Sequence, residues 1–195
     1  MRKLYLFDFD GTLTYKDTMF MFLKFYNSKK FYLGFVKHIP LFIFMKLGLM
    51  NTEKVKKSFI VSVLKDEKEE NIALKASEFF QQNFPSLIRQ NALEFIQNIN
   101  QDQVECYLVT ASLDIWVKPF AEALGLKCLA TEARFENGIF TGHFKTKNNN
   151  GKEKTIRVLK EIEGKKFDKI IAFGDTSGDR PMLEMADEGH YRFFH

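Results

Sequence analysis

The stretch Lys3-Leu4-Tyr5-Leu6-Phe7-Asp8-Phe9-Asp10-Gly11-Thr12-Leu13-Thr14 constrains this chain most. It begins as a short apolar run rich in β-formers and ends in two carboxylates, a glycine and two threonines. Burying an unpaired carboxylate is costly, so such groups are usually paired or bound to metal. In an open α/β sheet, ligands sit in the crevice beyond the carboxyl ends of the strands. A surface turn after a strand would also use Asp and Gly. The stretch alone leaves both readings open, and three later segments decide between them.

Residues 15–85 carry helical patterning only. Asp17-Thr18 can cap a helix over 19–26. A very apolar helix is expected from Phe31 to Leu49, bent or interrupted at Pro40. Asn51-Thr52 caps a third over 53–64, with Val55, Phe59, Ile60 and Val63 on one side. Glu67 to Phe84 is a fourth, with Ile72, Leu74, Ala76, Phe79 and Phe80, stopped at Pro85.

An alternating rhythm then sets in. A helix over 86–99 leads to a strand over 104–109 that ends on Thr110-Ala111-Ser112. A helix over 113–124 stops at Gly125. Extended segments 127–135 and 139–144 flank the hairpin signal Asn137-Gly138. A helix over 152–163 precedes a strand over 169–173, which ends on Gly174-Asp175-Thr176-Ser177-Gly178-Asp179. Pro181 to Ala186 begins a last helix, and 190–194 reads as a final short strand. Strands alternating with helices imply an α/β fold with a mostly parallel sheet and right-handed crossovers. The division expected is a core of residues 1–14 and 86–195 with an inserted helical-bundle cap over 15–85.

Such a sheet gathers Asp8/Asp10, Thr110/Ser112 and Asp175/Asp179 at one edge, with Lys152 and Lys154 from a neighbouring helix start. Carboxylates from two strand ends make a hard-oxygen site suited to Mg²⁺, which takes one or two carboxylates, waters and a substrate phosphate. A hydroxyl, backbone N–H groups and an ammonium cradle phosphate. A carboxylate free to attack phosphorus completes a set for phosphoryl transfer through an aspartyl-phosphate.

The remaining composition excludes more than it adds. A net charge of +4 is mild and lacks the clustered basic stripe of a nucleic-acid binder. Cys106 and Cys128 lie in apolar segments and read as small core residues, and His38, His143, His190 and His195 show no metal spacing. The chain enters a strand almost at once with no visible signal peptide, so a cytoplasmic location is expected.

Asp8-Phe9-Asp10-Gly11-Thr12-Leu13-Thr14 resembles the first motif of the haloacid dehalogenase superfamily of phosphatases. Val109-Thr110-Ala111-Ser112 resembles its second motif, Gly151-Lys152-Glu153-Lys154 its third, and Gly174 to Asp179 its fourth, in the same order and spacing. The helical insertion resembles the C1 cap of subfamily IB, which includes phosphoserine phosphatases. The resemblance implies a Rossmann-like three-layer core and a Mg²⁺-dependent phosphomonoesterase. In that scheme Asp8 is the nucleophile, and Asp10 is the general acid and then base, with its backbone carbonyl on the metal. Gly11 lets the chain turn close to phosphate, and Thr12 helps orient the acid. Thr110 and the Ala111 N–H bind phosphoryl oxygens. Asp175 is a metal ligand, and Asp179 holds a metal-bound water or the lysine. Counting as in phosphoserine phosphatases points to Lys152 for that lysine; the Gly-x-x-Lys spacing favours Lys154.

The cap sets the substrate, expected to be a small phosphorylated metabolite. Asp17 sits at the offset of an acidic substrate-binding residue but is also a good helix N-cap, the reading preferred. Residues 15–88 contain no arginine, which argues against phosphoserine, since Arg's bidentate fork suits a carboxylate. The apolar richness of the cap is read first as the core of four short helices. The second reading is a membrane-associated lipid-phosphate phosphatase, with Lys29, Lys30, Lys37 and Lys46 near anionic lipid. A non-enzymatic phosphoacceptor module fits poorly, because Asp10 supplies an acid/base that a long-lived phosphoaspartate does not need. Trp116 is assigned to helix packing.

Overall fold

The computed structural model describes residues 2–99 and 104–195. Its centre is a five-stranded sheet built from β1 (Lys3–Phe7), β2 (Val104–Leu113), β3 (Lys127–Thr131), β6 (Lys169–Gly174) and β7 (Glu188–Tyr191) in the order β3-β2-β1-β6-β7. Every neighbouring pair is parallel. Phe7 stands level with Leu108 on one side and Phe173 on the other. The chain therefore leaves β1 at Asp8, the central position of the sheet edge where the other strands also end.

Side-chain alternation along the strands divides the core into two clusters. Phe7, Leu108, Ile171 and Phe173 face one cluster, joined by Ala92 and Ile96 of α5 (Gln90–Gln97) and Val117 and Phe120 of α6 (Asp114–Ala123). Leu4, Leu6, Tyr107, Val109 and Ala172 face the other, joined by Val158 of α7 (Lys152–Glu161) and Met182 of α8 (Arg180–Met185). Helices thus cover both faces, as continuous apolar strands require. Each fully buried Leu, Ile or Phe contributes about 1.5–3 kcal/mol.

Four helices stand between β1 and α5: α1 (Thr18–Tyr26), α2 (Ser28–Lys46), α3 (Thr52–Leu64) and α4 (Glu69–Asn83). Asp17, Asn27 and Asn51 cap the first three through their side chains. Two isolated antiparallel bridges help hold this segment. Thr14 pairs antiparallel with Ile88, and Lys68 pairs with Ile139. Ile139 begins β5 (Ile139–Phe144), which forms a separate two-stranded hairpin with β4 (Ala133–Glu136).

Several sequence expectations need correction. The helix expected over 86–99 starts only at Gln90, because Leu87 O and the Arg89 N–H are used in bonds to Tyr15 and Leu13. The extended run 127–135 divides at Glu132 between the main sheet and the hairpin. The last strand lies at 188–191 rather than 190–194, because Phe194 turns back to pack on Phe95 and Phe173. The helix containing Pro40 runs on without interruption. Pro40 sits on its exposed side, where water can serve the carbonyl its missing N–H leaves unpaired. Leu74 points outward, 59% exposed, while Ile72, Ala76 and Phe79 are buried.

Candidate active site

Phe9–Leu13 winds one wide turn after β1, closed by Thr14 N–H donating to Phe9 O at 3.1 Å. Gly11 makes that turn with φ +84°, and a Cβ there would lie 2.5 Å from Asp175 Oδ2. Only glycine fits both demands. Gly174 is equally constrained from the other side, since a Cβ would collide with Asp179. The first and fourth motifs are thereby pressed together.

Their carboxylates converge. One oxygen each from Asp8, Asp175 and Asp179 lies within 4.8 Å of the others. Lys154 Nζ stands 2.5 Å from Asp8 Oδ1 and 2.6 Å from Asp179 Oδ1 and is 1% exposed. α7 explains its reach. Its N-terminus is fixed by Gly151 N–H donating to Gly178 O at 3.0 Å, and Lys154 shares the buried face with Val158, one turn on. Lys152, half a turn earlier, is exposed.

Asp10 is held differently. Its Oδ1 accepts from the backbone N–H and the hydroxyl of Thr18, each at 2.6 Å, and its Oδ2 accepts from Ser112 at 2.6 Å. Its side chain therefore turns away from the three-carboxylate cluster toward α1 and β2. Thr12, expected to orient Asp10, does not touch it. The Thr12 hydroxyl lies 2.8 Å from Asp8 Oδ2 and 3.1 Å from Asp175 Oδ1, because the wide turn points it back toward β1. β2 runs on to Leu113 rather than ending at Val109, so Thr110 is buried within the strand, and its Oγ1 accepts from Ser112 N–H at 3.1 Å.

The electrostatics follow from burial. Desolvation pushes the Asp8 carboxyl up to about 7 despite the lysine beside it, with Asp179 and Asp10 adding to the rise. Burial also raises Asp10, with Asp17 adding to it and the Ser112 and Thr18 bonds opposing. Burial acts to raise Asp179 too, but Lys154 and Thr176 outweigh it and hold the group below the usual range. Lys154 stays protonated, its two carboxylates outweighing desolvation. Among the described residues one ammonium thus pairs with two of three clustered carboxylates, with Asp10 nearby. The uncompensated negative charge and the hard-oxygen donors fit a divalent cation held by Asp8, Asp175 and Asp179.

Asp8, Asp10, Gly11, Thr110, Ala111, Lys154, Asp175 and Asp179 all line one cavity of about 510 Å³. Its far wall carries Met19, Lys56, Lys57 and Ile60 from the helices and Phe144 from the hairpin. The lining contains Lys16, Lys56 and Lys57 but, among the described residues, no arginine. Asp17 lines it too, while capping α1 and pairing with Lys56 at 3.3 Å.

Sequence reasoning missed Thr18 and gave Trp116 too little. The Trp116 indole N–H donates to Thr18 Oγ1 at 3.2 Å while its ring stacks on Phe22, 5.1 Å between centroids. Asp17-Thr18 read as a cap, which it is, and nothing in the spacing showed that the cap also grips Asp10. Thr176 was missed as well; its N–H and hydroxyl both donate to Asp179 Oδ2.

Comparisons with known proteins identify the family and the fold. Residues 5–184 match the haloacid dehalogenase-like hydrolase family. The protein CicA of Caulobacter vibrioides is 36% identical over 193 residues, which cover 98% of this chain and 86% of that protein. The crystal structure of a Bordetella pertussis Tohama I protein of unknown function superposes with a TM-score of 0.80 at 22% identity, covering 95% of this chain and 87% of that one. A structure described as a phospho-aspartyl intermediate analogue of phosphoserine phosphatase superposes with a TM-score of 0.62 at 24% identity, covering 95% and 83%. The likeness to both structures is one of fold. With the family match spanning nearly all of it, the chain belongs to the haloacid dehalogenase-like hydrolases.

Proposed function

We propose that the protein is a Mg²⁺-dependent phosphomonoester hydrolase that works through an aspartyl-phosphate on Asp8, acting on a small phosphorylated metabolite. The observation that carries this reading is the placement of Asp8. It stands at the centre of the sheet edge, open to the cavity, with Lys154 at 2.5 Å and the carboxylates of Asp175 and Asp179 beside it. The cation held by Asp8, Asp175 and Asp179 would neutralise charge between the attacking carboxylate and the phosphate.

The chain's own groups supply the rest. An Asp8 oxygen attacks phosphorus, and the ester oxygen leaves with a proton from Asp10. Asp10, raised by burial, can carry that proton. It then takes a proton from water, which attacks the acyl phosphate and releases inorganic phosphate, regenerating both carboxyls; one group serves both steps by microscopic reversibility. Thr110 Oγ1 and Ala111 N–H hold phosphoryl oxygens, and Lys154 meets the remaining charge while holding Asp8 in place. Residues 15–85 act as a cap over a core of 1–14 and 86–195. The cap contributes Met19, Lys56, Lys57 and Ile60 to the cavity, a wall for an organic group with polar substituents. The absence of arginine from the described lining disfavours phosphoserine, whose carboxylate calls for a bidentate partner.

The test is phosphate release from p-nitrophenyl phosphate with Mg²⁺. Turnover is expected, abolished by chelation, restored by Mg²⁺ and lost in Asp8→Asn. Unchanged turnover in Asp8→Asn removes the nucleophile from the scheme. A screen across amino-acid, sugar, nucleotide and lipid phosphates then identifies the substrate class.

A further inference from the structure

α2 is apolar on two opposite sides. Its inner side packs on α3, where Phe31, His38 and Phe42 surround Phe59 at centroid distances of 5.4, 5.5 and 5.5 Å. Its outer side carries Leu33, Val36, Ile43 and Leu47 at 57%, 64%, 54% and 65% exposure, spaced three, seven and four apart so that they form one stripe. The turn that follows adds Leu49 at 70%. A helix that is apolar all round is normally buried, and a monomer rarely leaves so continuous an apolar patch in water. The reading of these side chains as interior packing holds for Phe22, Phe59 and Phe79 and fails for this stripe.

Charge says what covers it. Lys24, Lys29, Lys30, Lys37 and Lys46 are exposed on or beside α2, and no acidic residue occurs between Asp17 and Glu53. Lys30 is committed to Glu67; Lys29, Lys37 and Lys46 have no carboxylate partner among the described residues. A second copy docked through the same patch would set lysine against lysine with no acid to pair. An anionic lipid surface meets both needs, apolar depth for the stripe and negative charge for the lysines. No helix among the described residues is long and apolar enough to cross a membrane, so the contact is a surface one. We infer that the outer face of α2, continued through Leu47-Gly48-Leu49-Met50, docks on the surface of an anionic bilayer.

The test is co-sedimentation of the whole protein with phosphatidylcholine vesicles, with and without phosphatidylglycerol; it needs no turnover and stands apart from the phosphatase assay. Pelleting with the anionic vesicles is expected at low salt. It should fall at least tenfold by about 1 M salt, where the Debye length is about 3 Å. Lys37→Gln with Lys46→Gln should weaken binding roughly fivefold per lysine. Ile43→Asp with Leu47→Asp should abolish it while circular dichroism stays that of the wild type. Equal pelleting with both vesicle types, or none with anionic vesicles at low salt, overturns the proposal. So does a concentration-dependent dimer that Ile43→Asp with Leu47→Asp dissolves, which assigns the face to a second copy. The salt and lipid arms use the unmodified chain, so a misfolded variant does not shield the proposal.

Discussion

Thr18, the first residue of α1, gives both its backbone N–H and its hydroxyl to Asp10 Oδ1 at 2.6 Å. The first of the four helices between β1 and α5 is thus the support of the proposed acid/base. Thr18→Val keeps the N–H and loses the hydroxyl. It should lower kcat about tenfold to a hundredfold with little change in KM, because a loosened acid/base costs the chemical step more than binding. Thr18→Ser should restore most of the rate. A general packing defect would instead leave Thr18→Ser at least as poor as Thr18→Val, since serine loses the methyl group that valine keeps.

Lys154 is buried and bridges two carboxylates, whereas Lys152 lies in solvent. Lys154→Ala should lose about a hundredfold to a thousandfold in kcat, the usual cost of removing a preorganised charge donor. Lys152→Ala should stay within about twofold, as surface substitutions do. Parallel steady-state assays compare them directly, and an equal small loss in both contradicts the assignment.

That comparison also shows where sequence reading reached and where it stopped. The apolar runs that lead into Asp8, Thr110 and Asp175 were legible, because an apolar run followed by polar groups is a local pattern that the parallel sheet merely collects, though β2 carries on past Thr110 to Leu113. The choice between Lys152 and Lys154 depends on helix phase, which in turn depends on where Gly151 docks on Gly178, a contact between segments far apart in space until the fold forms. Thr18 was hidden because its capping neighbour Asp17 accounted for the local sequence completely. Thr12 was misplaced because a wide turn, not a strand continuation, decides which carboxylate its hydroxyl meets. The apolar abundance of α2 was visible, but which half of it faces water was not, since both halves carry the same residue types.

Gly11 is pinned by φ +84° and by the Asp175 carboxylate against its missing side chain. Gly11→Ala should destabilise the fold by about 1–3 kcal/mol, the usual cost of a strained backbone position. It should also raise the Mg²⁺ concentration needed for half-maximal turnover, because the new methyl displaces Asp175. Denaturant midpoints and a Mg²⁺ titration read the two effects separately.

At the opposite edge of the sheet Glu105 accepts from Arg2 at 2.6 Å, Lys127 at 2.8 Å, Tyr107 at 2.9 Å and Lys165 at 3.0 Å. Burial acts to raise its carboxyl, but these donors hold it down at about 2. A group depressed in the folded state stabilises above its unfolded value and loses that contribution as pH falls through the folded one. The stability lost on acidification from about pH 4.5 down to about 2 should therefore be smaller in Glu105→Gln than in the wild type. Urea midpoints across that range measure it; identical slopes contradict the cluster's role.

The central claim is that phosphate passes through Asp8. The most direct measurement is an acid-quenched single turnover with Mg²⁺, followed by peptide mass spectrometry. The account predicts one phosphoryl group on the peptide containing Asp8, absent in Asp8→Asn. A phosphoryl group on any other residue, or full turnover with no phosphorylated peptide at any quench time, contradicts it.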